Sequence, residues 1–184
     1  MSALPAVGPL RGSRAWFGAL VGAVALERVA ELVVSQRNIR WALERGGVET
    51  GRGHYPAMVA MHLGLLVAGP VEVALAGRRA DRRVAVPAVA AVAGAQALRW
   101  WCIRTLGPQW NTRVVVVPGL PLVRRGPYRW LRHPNYVAVV VEGAALPLAH
   151  GAWVTSAAFT LVDAAVLTAR LRAEEAALAP SRQL

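Results

Sequence analysis

The most polar segment of this apolar chain, residues 125–136, combines arginines, aromatic residues and prolines in the order RGPYRWLRHPNY. The rings of Tyr128 and Tyr136 can pack against a flat ring or a cation, and His133 can donate a hydrogen bond. Pro134 is followed by an apolar run, which predicts a helix start with proline in its first turn. The free backbone N–H groups of that turn would lie beside His133, where they suit a carboxylate. The segment is therefore a candidate binding site for a small charged molecule.

A second polar set lies near the end of the chain, in RLRAEEAAL, residues 170–178. Arg170 and Glu174 are four residues apart and can share one helix face. Glu174 can accept a hydrogen bond from an ammonium group, and Arg170 can hold an anion. A cofactor with an adenine, an ammonium, a carboxylate and a cationic centre would suit both segments, and S-adenosylmethionine is one such molecule. The residues leave an alternative open, in which the arginines and aromatic rings only anchor a helix at a membrane surface.

The composition predicts a membrane protein. The chain has 184 residues, 55% of them hydrophobic, and a mean hydropathy of +0.39. This length favours a single domain, residues 1–184. The apolar residues come in blocks near membrane-spanning length, which favours an all-α integral membrane protein with about five transmembrane helices. The predicted helices are residues 15–34, 56–76, 84–103, 135–148 and 153–169.

The last two predicted helices are expected to form a short hairpin. Residues 135–148 would give a helix of about 21 Å, which is short for a hydrocarbon core of about 30 Å, and the turn before residue 153 is brief. Residues 104–134 are then a long, irregular cofactor-binding loop, in which the β-branched run at 114–117 is too short to span a membrane. Residues 170–184 form a charged C-terminal tail that begins as a helix.

The charge pattern predicts the orientation. The formal charge is +11, and all 21 basic residues are arginines. A basic chain can bind nucleic acid, but these arginines fall mostly between apolar blocks, so we expect no nucleic-acid partner. Six arginines flank the helices on one predicted side and 13 on the other, with Arg28 and Arg99 inside helices. The side with 13 is predicted to be cytoplasmic. The N-terminus is then outside, and the loop and C-terminus are cytoplasmic, in the cell membrane if the protein is bacterial.

Several charged residues lie inside the apolar blocks. Glu27, Arg28 and Glu31 can share one face of the first helix. At that depth we expect the charges to face protein or water rather than lipid. Because they lie near the predicted helix end, the alternative is that their charged groups reach the membrane surface. Three further carboxylates can line a cofactor cavity or an opening to lipid, or can pair with a structural partner such as Arg99. These carboxylates are Glu72, Glu142 and Asp163.

The sequence predicts no metal site. The single cysteine, Cys102, excludes a disulfide within the chain and a cysteine metal cluster. His54, His62 and His150 show no spacing that is typical of metal ligands.

The two polar segments together resemble the isoprenylcysteine carboxyl methyltransferase family. Its hallmark is Gly-x-Tyr, then Arg-His-Pro-x-Tyr, then a transmembrane hairpin, then Arg-x-x-x-Glu-Glu-x-x-Leu. The matching residues are Gly126, Tyr128, Arg132, His133, Pro134, Tyr136, Arg170, Glu174, Glu175 and Leu178.

Earlier stretches resemble a bacterial branch of that family. They are SQRNIRWALERGGVETGRGHYP, QALRWW and LGPQWNTRVVVVPG, and the likeness covers residues 27–178. Members of this branch occur beside type III polyketide synthases and methylate long-chain alkylpyrones or alkylresorcinols.

The resemblance implies a role for each matching position. Glu174 corresponds to the carboxylate that helps to hold the methionine part of S-adenosylmethionine, which leaves as S-adenosylhomocysteine. Arg170 corresponds to the catalytic arginine near the acceptor group. Eukaryotic members often have histidine at the position of Leu120, so that contact differs here. The implied cofactor-binding residues are Leu120, Pro121, Leu122, Val123, Tyr128, His133, Pro134, Asn135, Tyr136 and Glu174.

The implied activity is methyl transfer to an oxygen of a lipophilic acceptor that enters from the bilayer. A long-chain polyketide is preferred, with a functional link to a type III polyketide synthase. One alternative is methylation of a prenylated cysteine carboxylate. Another is a non-catalytic transporter or partner subunit, which the intramembrane charges permit. Sterol reductases resemble this architecture as well, but the signature of their nicotinamide cofactor is missing from the sequence.

Overall fold

The computed structural model describes residues 13–51, 53 and 55–179, so residues 180–184 of the predicted tail and His54 lie outside the described residues. The fold is helical, as predicted, with five helices and a small two-stranded sheet. In chain order the elements are α1 (Ser13–Leu43), β1 (Val48–Thr50), α2 (Tyr55–Leu75), α3 (Arg82–Leu106), β2 (Val114–Val116), α4 (Pro134–Leu148) and α5 (Trp153–Leu178).

Three segments are long and apolar enough to cross a membrane: Tyr55–Leu75, Arg82–Gln109 and Trp153–Leu178. They contain α2, α3 and α5. Helix α4 has only 15 residues and packs closely against α3 and α5. Helix α1 has 31 residues and carries charges in its middle. The described part of the chain is therefore a helical bundle of membrane-crossing length, with α4 as its shortest member.

Helix α1 is longer than predicted. The predicted helix ends at residue 34, but one continuous helix runs to Leu43. Residues 35–43 include no glycine or proline, so nothing in them breaks the helix. The turn after Leu43 contains Gly46, which adopts a φ of 75°, and the Gly47 N–H donates to Ala42 O at 2.8 Å. Such a left-handed glycine commonly ends a helix.

The predicted loop, residues 104–134, also contains a short strand, β2, that was not predicted. The β-branched run pairs β2 with β1 in antiparallel register, with Val48 opposite Val116 and Thr50 opposite Val114. The pairing brings residues that follow α1 against residues that follow α3. Both segments therefore share one end of the bundle.

The hairpin of α4 and α5 fixes the register of its two helices. A Cβ atom on Gly143 would lie 1.9 Å from the Phe159 ring, so only glycine fits there. Ser156 Oγ donates to Ala144 O at 2.9 Å. From α2, the Glu72 carboxylate accepts hydrogen bonds from the Thr155 N–H at 2.7 Å and its hydroxyl at 2.8 Å, which caps the start of α5. These contacts set the positions of the residues farther along α5.

A buried cluster of charges joins α1, α3 and α4. Arg99 is 2% exposed and lies 3.2 Å from Glu31 and 3.1 Å from Glu142. Arg28 contacts the same two carboxylates, each at 2.5 Å. Beside them, Gln96 donates a hydrogen bond to Glu27. The prediction that the α1 charges face protein is confirmed by these contacts. The alternative, in which they reach the membrane surface, is wrong, because α1 continues well past them and places them mid-helix. The pairing of Glu142 with Arg99 is confirmed.

Removing one cation from this cluster should destabilise the bundle. Arg99→Leu leaves Glu31 and Glu142 with a single arginine between them, and breaking a buried pair costs about 3–5 kcal/mol. We expect the midpoint of thermal unfolding in detergent to fall by about 10 °C. Arg104→Leu is the matched control, because Arg104 lies on the same helix and is exposed. Equal midpoints for the two variants would contradict a stabilising role for the cluster.

Candidate functional site

A cavity of about 600 Å³ lies at the end of the bundle where β2, the loop after it, the start of α4 and the end of α5 meet. Eight of the ten predicted cofactor-binding residues line the cavity: Leu120, Leu122, Val123, Tyr128, His133, Asn135, Tyr136 and Glu174. The other two, Pro121 and Pro134, do not. Pro121 is exposed, whereas Pro134 is fully buried in the first turn of α4.

The loop is held against α3 by a close backbone approach. Gly126 adopts a φ of 56°, and a Cβ atom there would lie 2.5 Å from the Thr105 hydroxyl. The 3-10 helix Gly126–Arg129 follows and carries Tyr128 to the cavity. There the Tyr128 hydroxyl hydrogen-bonds with the Cys102 thiol, and burial raises the pKa of Tyr128, so the phenol stays neutral.

A chain of polar contacts runs across α4 and α5. His133 Nε2 lies 2.7 Å from Glu175 Oε1, and Nδ1 lies 3.4 Å from Glu174 Oε1. The Tyr136 hydroxyl donates to Glu174 and accepts from Arg170 Nε at 2.8 Å. The His133 and Tyr136 rings stack with centroids 5.5 Å apart. The structure therefore brings the two predicted polar segments together in one network.

The acidic neighbours of His133 change its protonation. Its hydrogen bond with Glu174 raises the pKa of His133 above the ordinary value; desolvation opposes this shift, and the hydrogen bond with Glu175 adds to it. The imidazolium is thus held between two carboxylates at the cavity wall. Its positive charge persists to higher pH than that of a free histidine.

Several buried polar atoms at the first cavity have no hydrogen-bond partner among the described residues. They are Trp110 Nε1, Asn111 Oδ1, Arg113 Nε and Asn135 Oδ1, and all four residues line the cavity. Buried polar atoms are nearly always hydrogen-bonded in folded proteins. These atoms therefore mark places where a polar ligand can bind.

A second, mostly apolar cavity of about 150 Å³ adjoins the first. Trp110, Asn135 and Tyr136 line both, so the two cavities are one residue layer apart. Arg170, the predicted catalytic residue, lines only the second cavity, although it contacts Tyr136 in the shared wall.

The Arg170 guanidinium is buried and oriented by three contacts. It is 6% exposed. Besides its bond to Tyr136, its Nη1 group donates to Thr112 O at 2.6 Å and contacts Met58 Sδ at 2.8 Å. In the described part of the chain its Nη2 group has no hydrogen-bond partner. The Nη2 group of this fixed guanidinium is thus free to donate hydrogen bonds to a ligand in the second cavity.

The second cavity reaches the outer surface of the bundle between α1 and α2. Leu32 of α1 and Val59 and Leu63 of α2 line it, and they are 43%, 36% and 59% exposed. This edge of the cavity, which Arg170 also lines, is therefore bordered by exposed apolar side chains of both helices.

Some residues at the site could not be identified from the sequence. Trp110 and Asn111 line the first cavity and lie in the stretch LGPQWNT, which resembles a family branch but carries no motif that predicts a role for them. Thr112 contributes a backbone carbonyl to Arg170, and Ser35 of α1 holds it by accepting from the Thr112 N–H at 3.0 Å. Backbone contacts of this kind leave no signal in residue type.

Comparison with known proteins gives two matches. The pattern of the isoprenylcysteine carboxyl methyltransferase (ICMT) family matches residues 88–180, which include every predicted site residue. A protein of Bacillus subtilis (strain 168), described as "Uncharacterized protein YpbQ", is 36% identical over 163 residues, which is 88% of this chain and 96% of that protein. No solved structure matches the chain.

The raised pKa of His133 can be measured. Because the folded value lies above the ordinary value of about 6.5, the imidazolium pairs fully below that pH, and the pairing is lost as the pH rises through the folded pKa. Histidine NMR titration, assigned with His133→Gln, should give a pKa above the ordinary value. Glu174→Gln should lower it more than Glu175→Gln does, since Glu174 is the larger cause. An unshifted pKa in the unmodified protein would contradict the network.

Proposed function

The chain belongs to the isoprenylcysteine carboxyl methyltransferase family, which makes it a membrane methyltransferase, and from this premise we propose that it uses S-adenosylmethionine to methylate an oxygen of a lipophilic acceptor. The observation that carries this proposal is the meeting of two cavities at Tyr136, with Arg170 on the acceptor side and Glu174 on the cofactor side. A non-catalytic transporter or subunit would not need such a pair of sites.

The first cavity fits S-adenosylmethionine. Its volume of about 600 Å³ lies within the range of ligand pockets. Glu174 is the one carboxylate among its described lining residues and would hold the ammonium group. The unpartnered atoms of Trp110, Asn111 and Asn135 supply both donors and acceptors for the polar parts. Four arginines line the wall and would hold the carboxylate: Arg113, Arg124, Arg129 and Arg132.

When bound, this cofactor supplies a methyl group that is already activated by a sulfonium centre, and S-adenosylhomocysteine remains. The residues of the chain then need to orient the acceptor and stabilise its charge, and positioning provides most of the rate increase. Nη2 of Arg170 would hold the acceptor oxygen by charge and hydrogen bond. An acceptor that is ionised at neutral pH, such as a carboxylate or a hydroxypyrone, needs no general base.

Tyr136 acts as a positioning residue between the two sites. Its hydroxyl accepts from Arg170 and donates to Glu174. The orientation of the guanidinium that faces the acceptor is thus tied to the carboxylate that faces the cofactor. Because both contacts use one hydroxyl, the acceptor oxygen and the cofactor are held at a fixed separation.

We favour a long-chain polyketide, such as an alkylpyrone or alkylresorcinol, as the acceptor. A cavity of about 150 Å³ is close in size to one that holds a benzene ring. The opening between α1 and α2 would let an alkyl chain extend into the bilayer. A type III polyketide synthase would supply such an acceptor, which is the functional link that we propose. The arginine pattern supports a cytoplasmic site with the N-terminus outside.

Loss of Arg170 should abolish turnover and leave the cofactor bound. We expect Arg170→Ala to lower the rate of methyl transfer by about 100-fold or more, because the developing charge on the acceptor oxygen loses its partner. Its affinity for S-adenosylhomocysteine, measured by calorimetry, should stay within about twofold, a change worth only about 0.4 kcal/mol. Arg172→Ala is the control, since Arg172 is exposed on the same helix. Normal methylation by Arg170→Ala would overturn the assignment.

Cofactor affinity should depend on Glu174 and His133. We expect Glu174→Gln and His133→Ala to weaken S-adenosylmethionine binding by about tenfold or more, as for a lost hydrogen bond to a charged group. Glu44→Gln changes an exposed carboxylate outside the site and should have no effect. Wild-type affinity in both site variants would mean that the cofactor binds elsewhere.

The acceptor is identified by incubating the purified protein with isotopically labelled S-adenosylmethionine and three lipids. An alkylpyrone, an alkylresorcinol and a prenylated cysteine are compared by mass spectrometry. Label in a polyketide supports the proposal, and label in the cysteine carboxylate alone would replace the proposed acceptor. No label in any lipid, with cofactor bound, would contradict this substrate class.

A further inference from the structure

Asp163 is a buried carboxylate at the second cavity that the methyl-transfer site does not use. It lies on α5, lines the cavity and is 4% exposed. Among the described residues it makes no hydrogen bond and no ion pair. An unpartnered carboxylate in an apolar setting is costly. Its presence in a cavity wall points to a ligand.

The cations that line the same cavity are already engaged. Arg28 and Arg99 are both paired with Glu31 and Glu142. Arg170 is held in place by Tyr136, Thr112 and Met58 through its Nε and Nη1 groups. His62 hydrogen-bonds with Met58 O at 2.8 Å, and the remaining lining is mostly apolar. None of these described residues pairs with Asp163, so a partner for its carboxylate would come with the molecule that fills the cavity and would donate a hydrogen bond.

The position of Asp163 relative to Arg170 limits where that donor lies. The two residues are seven apart on α5, about 10 Å along the helix axis, and both line the second cavity. Long side chains on a helix lean towards its N-terminus, so the guanidinium lies on the Asp163 side of its own Cα. Both charged side chains thus border the same cavity from one face of α5.

We propose that Asp163 is a specificity residue that accepts a hydrogen bond from a second hydroxyl of the acceptor, while Arg170 holds the oxygen that is methylated. This inference rests on the proposed function, because it takes the second cavity as the acceptor site. The acceptor is then a ring that carries a second hydroxyl besides the oxygen that is methylated. A lipid with a single polar group would contact Arg170 but would lack the hydrogen bond to Asp163.

The proposal also limits the product. Once one hydroxyl carries a methyl group, a second transfer would require the methoxy group to face Asp163. A methoxy oxygen has no hydrogen to donate, so the carboxylate would be left without a partner. The enzyme should therefore stop at the monomethyl ether of a dihydroxy acceptor.

The direct test is equilibrium binding in detergent without cofactor, so that it does not depend on turnover. The probes are a 5-alkylresorcinol and the 3-alkylphenol of the same chain length, which differ by one hydroxyl. The wild-type protein should bind the resorcinol about tenfold to a hundredfold more tightly, as expected for one hydrogen bond to a charged group. Asp163→Val should bind both alike, and Asp163→Asn, which keeps a neutral acceptor, should show a smaller preference than wild type.

The controls are chosen on the same scaffold. Thr160→Val places the same side chain on α5 at an exposed position, and Asp81→Asn alters the other aspartate of the chain, an exposed helix cap. Both should keep the wild-type preference. Equal affinities in the wild-type protein, or an unchanged preference in Asp163→Val, would overturn the role of Asp163.

A second measurement separates this inference from the proposed function. With the resorcinol and S-adenosylmethionine, wild type should give the monomethyl ether and S-adenosylhomocysteine, with the phenolic proton released to water, and Asp163→Val should give the dimethyl ether as well. A protein that prefers the resorcinol but never methylates it would retain the Asp163 subsite and refute the methyl-transfer assignment. A wild-type enzyme that forms the dimethyl ether as readily as the monoether would refute the subsite and keep the activity.

Discussion

The hydroxyl of Tyr136 accepts a hydrogen bond from Arg170 and donates one to Glu174, and the arrangement of the site depends on this pair of contacts. Tyr136 lies in the first turn of α4, so its contacts with α5 depend on the register of the two helices. Gly143 permits that register by letting the Phe159 ring approach the α4 backbone. The charge of Arg170 is thereby presented to one cavity and that of Glu174 to the other.

The bundle also has to accommodate charge away from water, and it does so in two different ways. Arg28 and Arg99 each pair with both Glu31 and Glu142, so two positive and two negative groups balance one another where α1, α3 and α4 meet. Such an arrangement fixes which helix faces which, since any rotation would leave a charge unpaired. Asp163 has no such partner in the described chain. The paired charges of the cluster therefore stabilise the fold, whereas the unpaired carboxylate of Asp163 is available to bind a ligand in the cavity.

Much of the fold could be predicted from the sequence, because apolar blocks bounded by polar turns locate helices well. Residues 56–76 were predicted as a helix, and α2 spans Tyr55–Leu75. The strands could not be predicted, since three residues are too few to show a period and their partners are far apart in sequence. The end of α1 was misplaced because hydropathy detects where the apolar block ends, whereas the helix continues through a more polar segment to Leu43.

The site was predictable in part for a similar reason. Side chains with distinctive chemistry, such as His133 and Glu174, stand out in a motif, and the fold places them at one cavity. Sequence alone could not separate Glu142 from Asp163, since each is a single acid in an apolar block. Their different environments depend on which arginine of another helix lies opposite, and that follows from packing rather than from local sequence.

The opening between α1 and α2 has a further consequence. On one side, α2 is joined to α5 at both ends, through Glu72 near one end and through Met58 and Arg170 near the other. On the other side, α1 is held to α4 by Arg28. Neither rim of the opening can move without breaking a polar contact in a medium that offers no replacement. For the acceptor that we propose, the opening would then act as a slot of nearly fixed width, which would admit slender unbranched tails and exclude bulky branched ones.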